Sequence, residues 1–316
     1  MSAGQKNKYI MEKFEINILG CGSALPTTKR FTSAQVVNIR EKLFLIDCGE
    51  GTQIQLRKMK CHFNKLSHVF ISHLHGDHSF GLPGLVSTFG MLGRTGELVI
   101  HAQPDAEKVF RPMLDYFCKE SDFRVRFESF DSNSHSVIYE DKSVKISTIP
   151  LKHRVPTAGF LFEEQPRLNH LIPEMIAFYQ IPVHCLRDIK DGADFVTDTG
   201  ERIHNSRLTR PAEKSRKYAY CSDTAYSEKI IPWIEGVDLL YHEATFCEAD
   251  LARAKETYHS SARQAAEIAR KANVKQLLLG HFSARYPDVD LLLKEALSIF
   301  PDTMAATEEM VVKVGR

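Results

Sequence analysis

The stretch "FISHLHGDHSFGLPG", residues 70–84, sets His73, His75, Asp77 and His78 within six positions. A single histidine is ordinarily a satisfied core or loop residue, but that reading does not cover four titratable groups in so short a run. Imidazole nitrogen and carboxylate oxygen are donors that zinc accepts. Val69, Phe70 and Ile71 read as a buried strand. At a strand end, alternation with period two sends His73 and His75 to the same side, where both reach one ion. Gly76 permits a tight turn, after which Asp77 and His78 face back toward a second ion. One motif therefore suggests two metals that still need ligands from elsewhere.

Three further groups follow strand-like runs: His153 in "IPLKHRVPTAGF", Asp223 in "YAYCSDT" and His281 in "LLLGHFSARY". Taken singly, Asp223 reads as a helix cap and the two histidines as loop residues. Their shared position at strand ends, beside the cluster, favours ligation.

The elements that must carry these groups are strand-rich in the first half. Phe14, Ile16 and Ile18 alternate as a strand, "SAQVVNIREKLFLIDCGEG" as two more closing on a turn, and "TQIQLRKMK" reads as a helix. A strand in "ELVIHAQ", a helix in "DAEKVFRPMLDYF" and strands in "RVRFESF", "SVIYEDK" and "VKISTIPLKH" follow. Leu168, Leu171, Ile172, Met175 and Ile176 share one helical face, and the polar, turn-rich stretch after them reads as an insertion. The mixed pattern resumes with "KYAYCSDTAY", "GVDLLYHEATF", "HSSARQAAEIARKA" and "VKQLLLGHF". Ser261 and Gln264 fit a capping box, which sets His259 just outside a helix N-terminus.

At 316 residues, with no Pro/Gly/Ser-rich linker, the chain is expected to be a single domain with ample core. Forty-one basic against forty acidic residues give a net charge of +1, so polyanion binding must come from local patches. Seven scattered cysteines without a CxxC pair argue against a disulfide framework or a zinc ribbon. No run approaches a membrane span, and the polar opening "MSAGQKNKYI" lacks a signal peptide's apolar core, so a cytoplasmic protein is expected. Structure is expected to start near Met11, with residues 1–10 an extension.

The motifs "IDCGEGTQIQLRK", "SHLHGDHSFGLPGL", "SDT", "HEAT", "HSSARQAAEIA" and "GHFSARY" stand in one order over about residues 16–286. In them the chain resembles the metallo-β-lactamase superfamily and, within it, the ribonuclease Z family of tRNA 3′-processing endonucleases. The resemblance implies an α/β chain in a four-layer α/β/β/α fold with an inserted flexible arm at about 163–210 that grips the tRNA elbow. It implies two zinc ions per subunit, manganese or another divalent ion being the alternative. His73, His75 and His153 would hold one ion, Asp77, His78 and His281 the other, and Asp223 would bridge them. A water shared by the ions would attack a phosphodiester, with Asp77 orienting it or accepting its proton.

The resemblance pairs Glu243 of "HEAT" with His259 beside the leaving group. There the carboxylate would raise the imidazole pKa and make His259 the acid, against the opposing pull of the helix N-terminus. Arg285 would bind the substrate backbone, and Lys29 and Arg30 lie where the family has a loop near the tRNA 3′ end. Asp47 and Glu50, in a strand-to-helix turn, are expected to orient ligands without touching metal. The implied partner is precursor tRNA, acted on by a homodimer without membrane involvement. The rivals are another phosphodiesterase or a sulfatase on the same scaffold, and a non-catalytic RNA-binding homologue. The last should have lost ligands, whereas all seven are present.

Overall fold

Alternation along the strands builds a layered core. In Phe14–Gly20, Ala34–Ile39, Lys42–Ile46 and Leu66–Phe70, alternate residues enter two different clusters. Ile16, Val37, Phe44, Ile46 and Phe70 join one. Leu19, Val36, Leu45 and Val69 join the other. A sheet buried on both faces must be covered on both. In this computed structural model, which describes residues 13–315, one cover is a second sheet and the other is a layer of helices. The expected extension over residues 1–10 lies outside the described residues.

Two seven-stranded sheets result. The first also contains Leu98–Ala102, Val125–Ser129 and, antiparallel to the first strand, Val311–Lys313. The helices Thr52–Lys58, Leu82–Met91 and Ala106–Phe117 bury Leu56, Leu85, Phe89, Phe110 and Leu114 on its outer face. The second sheet runs from Thr303–Ala305 through Leu277–Gly280, Leu239–Glu243, Lys217–Cys221, Ala158–Glu164 and Val144–Pro150 to Val137–Glu140. Its outer face is covered by Ala262–Lys271 and Asp290–Leu297, whose Ala265, Ala266, Ile268, Ala269, Leu292 and Ala296 are buried. The layers are therefore α/β/β/α.

The capping box is present: Gln264 N donates to Ser261 Oγ at 3.2 Å, and Ser261 N donates to Gln264 Oε1 at 3.1 Å. All seven cysteines are free. Among the described residues, no helix is long and apolar enough to cross a membrane.

Contacts divide the chain into two compact units, residues 164–215 and the remainder. The smaller has its own core of Ile181, Ile189, Ile203 and Leu208. The helical face read from Leu168 to Ile176 is only partly realised. Leu171 lies in the short strand His170–Leu171, and the helix is confined to Pro173–Phe178. Pro173, whose missing N–H is harmless only in a first turn, fixes that start.

Candidate metal centre

Within each sheet the parallel strands point their C-terminal ends to one edge, where open α/β sheets characteristically place ligands. Asp47 follows Lys42–Ile46, Asp223 follows Lys217–Cys221, and His281 follows Leu277–Gly280. All three have φ near +60° (57°, 61° and 58°). Asp and His tolerate this left-handed region better than most residues, and such strain persists where surrounding structure enforces it. The reversal turns each side chain off the sheet and into the site.

His73 and His75 reach the site by another route than strand alternation. The strand stops at Phe70, and both histidines stand on the loop beyond it, with His75 capping the short helix Gly76–Ser79 that carries Asp77 and His78. Their rings nevertheless converge, with His73 Nε2 2.8 Å from His75 Nδ1.

Asp223 divides the cluster. Its Oδ2 lies 3.6 Å from His73 Nε2 and 3.8 Å from His153 Nε2. Its Oδ1 lies 3.1 Å from both His78 Nε2 and His281 Nε2. Asp77 Oδ2 completes the second set at 3.5 Å from His78 Nε2 and 3.4 Å from His281 Nε2. His73, His75, His153 and Asp223 thus present donor atoms within 4.8 Å of one another, as do Asp77, His78 and His281.

The outward nitrogens are tied down. His78 Nδ1 donates to Asp47 Oδ2 at 2.7 Å, and His153 Nδ1 donates to the Tyr258 carbonyl at 3.0 Å. His281 Nδ1 lies 2.9 Å from Thr245 Oγ1, and His73 Nδ1 3.1 Å from Ser72 Oγ. With its proton held on Nδ1, each ring turns an Nε2 lone pair inward, the arrangement characteristic of metal-ligating histidine. Asp47 is itself fixed by Ser72 N at 2.7 Å, Ser72 Oγ at 2.9 Å and Tyr220 Oη at 2.7 Å.

The donor set passes a chemical test for divalent cations. His153 Nε2 is buried and has no hydrogen-bond partner, an expensive state for a polar atom unless it has another use. Burial holds His73 well below the usual imidazole range, and it likewise lowers His75 and His153, so their lone pairs are free at neutral pH. Burial opposes ionisation of Asp223, but His281, His78 and His73 outweigh it and hold its carboxyl well below the usual range. His78 is also disfavoured as a cation by burial, yet the charges of Asp223, Asp47 and Asp77 drive its pKa well up. Facing carboxylates at this density call for positive charge.

Glu243, fully buried, accepts from Thr224 N at 2.5 Å, Thr245 Oγ1 at 2.6 Å and Ser260 N at 3.0 Å. His259 Nδ1 lies 3.0 Å from its Oε1. Burial works against the His259 cation, but the Glu243 charge and hydrogen bond prevail and hold its pKa up at about 9. The His259 ring stands 5.1 Å from that of His153 and 5.4 Å from that of His281, at the rim of the cluster.

The remaining residues are more peripheral. Arg285 Nη1 donates to Asp250 Oδ1 at 3.0 Å, and its guanidinium lies 5.1 Å over the Phe246 ring. Arg30 donates through Nη1 to the Tyr286 carbonyl at 2.8 Å, which fastens its loop to the segment following Arg285. Lys29 is exposed on that loop. Glu50 is exposed and lines a cavity of about 410 Å³ in front of His75 and Asp77. Among the described residues no hydrogen bond joins Glu50 to the converging side chains.

Ser72, Tyr220 and Thr245 carry positioning contacts that the sequence reading missed. Each sits inside a quoted motif within three residues of His73, Asp223 or Glu243, and that proximity is the one signal the sequence offers.

Two family models match the chain: that of the anti-Pycsar protein Apyc1 over residues 14–166, and that of the beta-lactamase superfamily domain over residues 205–282. A ribonuclease Z of Parabacteroides distasonis is 60% identical over 304 residues, covering 96% of this chain and 100% of the relative. One from Bacteroides fragilis is 58% identical over 304 residues, with coverage of 96% and 100%. Among solved structures, human tRNase Z, short form, superposes with a TM-score of 0.69 at 25% identity, covering 96% of this chain and 100% of that one.

Proposed function

The chain belongs to the ribonuclease Z family and has the metallo-β-lactamase fold, and on that premise we propose that it is a zinc-dependent endoribonuclease that removes 3′ trailers from tRNA precursors, leaving a 3′-hydroxyl on the tRNA. The observation that carries this reading is the division of Asp223, one carboxylate oxygen facing each set of ligands. His73, His75 and His153 would hold one ion, Asp77, His78 and His281 the other, with Asp223 shared. When bound, such a pair supplies Lewis acidity that lowers the pKa of water at the site and neutralises phosphodiester charge.

The protein's own groups do the rest. Asp77 is held in place by Ala24 N, which donates to its Oδ2 at 2.7 Å, and from there it orients the attacking water or takes its proton. The departing ribose 3′-oxygen is a poor leaving group and needs a proton. His259 is protonated at neutral pH through Glu243 and stands at the rim of the cluster, so it is the donor. Thr224 N, Thr245 Oγ1 and Ser260 N fix the Glu243 carboxylate and hence the imidazole. Arg285 and Lys29 are the cations for the substrate backbone. The fork of Arg30 is engaged by backbone carbonyls, which assigns it to holding the loop. Residues 164–215 serve as the arm that binds the tRNA body. The family resemblance extends the reading to a cytoplasmic homodimer.

The test is to incubate the protein with a 3′-extended tRNA precursor and map the product ends, with and without a chelator. A single chelator-sensitive cut after the acceptor stem, leaving a 3′-hydroxyl, is expected. No cut, or a cut insensitive to metal removal, refutes the reading.

A further inference from the structure

Beyond His153 lies a second cavity, of about 710 Å³, lined by Lys152, His153, Arg154, Lys229 and Trp233 among others. No carboxylate lines it, and its three cations form no ion pair among the described residues. The neighbouring Glu228 is engaged elsewhere, by Lys271 and Tyr226. Trp233 stacks on His135 with ring centroids 4.1 Å apart and planes at 13°, yet remains 40% exposed. The short helix Ile231–Ile234 explains this: it buries Ile234 and turns the indole outward.

Arg154 lines both this cavity and the one in front of His75 and Asp77. The two cavities therefore flank the ligand cluster and share a cation. An RNA strand with its scissile phosphate at the cluster has neighbouring nucleotides within reach of both. Cations beside an exposed aromatic face are the combination that holds single strands, through phosphate charge and base stacking. A base inside a duplex has both faces covered by its stacked neighbours.

We propose that this cavity is a subsite for an unpaired nucleotide of the strand being cut, its base on Trp233 and its phosphates at Lys152, Arg154 and Lys229. The proposal rests on the ribonuclease reading given above. Two parts of a precursor share the required chemistry, the trailer beyond the cut and the unpaired 3′ end of the tRNA itself.

Trp233 is the only tryptophan in the chain, so its fluorescence reports on the site directly. The protein is titrated with a 5′-phosphorylated single-stranded RNA of trailer sequence and, separately, with a hairpin carrying an unpaired 3′-hydroxyl tail. Quenching by either is expected, and the one that quenches at lower concentration identifies the occupant. The double variant Lys152→Glu, Lys229→Glu should weaken that affinity at least tenfold. Removing two phosphate contacts should also flatten the log–log salt slope by about 1.4. Trp233→Ala should raise KM for precursor by roughly 5- to 150-fold, the range expected for one lost stack, with metal content and unfolding temperature unchanged. Absence of quenching by both RNAs, or an unchanged affinity in the double variant, overturns the subsite. Failure of the wild-type protein to cut precursor overturns the ribonuclease reading instead, because quenching is scored without cleavage.

Discussion

Replacing Asp47 with asparagine should disable one ligand without touching any. Asp47 Oδ1 accepts from the backbone N–H of Ser72 at 2.7 Å, while Oδ2 accepts from His78 Nδ1, Ser72 Oγ and Tyr220 Oη. The backbone donor cannot turn away, so the asparagine carbonyl must face it and the amide NH₂ must face the other three. Both hydroxyls can rotate and accept. His78 can adapt only by moving its proton to Nε2, the atom 3.1 Å from Asp223 Oδ1 and 3.2 Å from His281 Nε2. That proton occupies the ligating lone pair. Loss of a partner of this kind typically costs 10- to 100-fold in metal affinity, and about 10- to 100-fold is expected for the Asp77–His78–His281 set. The assay is competition for zinc against a chromophoric chelator, with turnover measured at saturating metal. Tyr220→Phe removes one rotatable donor and leaves the His78 tautomer alone, so its affinity should stay within about threefold of wild type. Unchanged affinity in Asp47→Asn, or an equal loss in Tyr220→Phe, would refute the tautomer argument.

Other expectations follow from the same geometry. His259→Ala should slow precursor cleavage by about 10²- to 10⁴-fold, the usual contribution of a general acid, while hydrolysis of bis(p-nitrophenyl) phosphate, whose leaving group needs no proton, falls far less; equal losses would move His259 out of the acid role. With its pKa near 9, His259 is protonated below that pH and loses its proton as pH rises through it, so the alkaline limb of kcat lies there. In Glu243→Gln the limb should shift down toward the ordinary value of 6.5, and a pH profile with an unmoved limb would contradict the pairing. Glu163 and Lys217 pair across adjacent antiparallel strands, so a short turn can replace residues 164–215. That variant should keep small-substrate hydrolysis and lose affinity for precursor tRNA, and an unchanged KM would remove the arm assignment. Gly280→Ala would put a Cβ 2.1 Å from Tyr241 Oη, next to His281; a destabilisation of about 1–3 kcal/mol by denaturant melt is expected, and a neutral result would show that Tyr241 can move.

The seven converging side chains could be picked out in sequence, four because they crowd into residues 73–78 and His153, Asp223 and His281 because each follows a strand-like run. What the sequence hid was how they are aimed. His73 and His75 meet on a loop beyond the strand, so the expected alternation was not the cause of their convergence. The left-handed turns at Asp223 and His281 have no glycine to announce them. Tyr220 and Thr245 act through single hydroxyls and Ser72 through a hydroxyl and its backbone N–H, and nothing local distinguishes such groups from any others. Glu50, which shares the strand-to-helix turn with Asp47, looked equivalent in sequence, but the chain turns it outward. The closing strand Val311–Lys313 and the helix Asp290–Leu297 lie beyond the last recognisable motif, and their places follow from tertiary pairing with Phe14–Gly20 and packing on Ala262–Lys271. The helix expected from Leu168 was shortened by a proline whose position was plain in the sequence.

If the seven side chains hold two ions, both ions should be needed to cut a tRNA precursor. Metal-free protein titrated with zinc, with bound metal and initial cleavage rate measured on the same samples, tests it most directly. Cleavage should be negligible without metal, and the rate should reach its plateau only at two ions per chain. Full activity at one ion or none would contradict it.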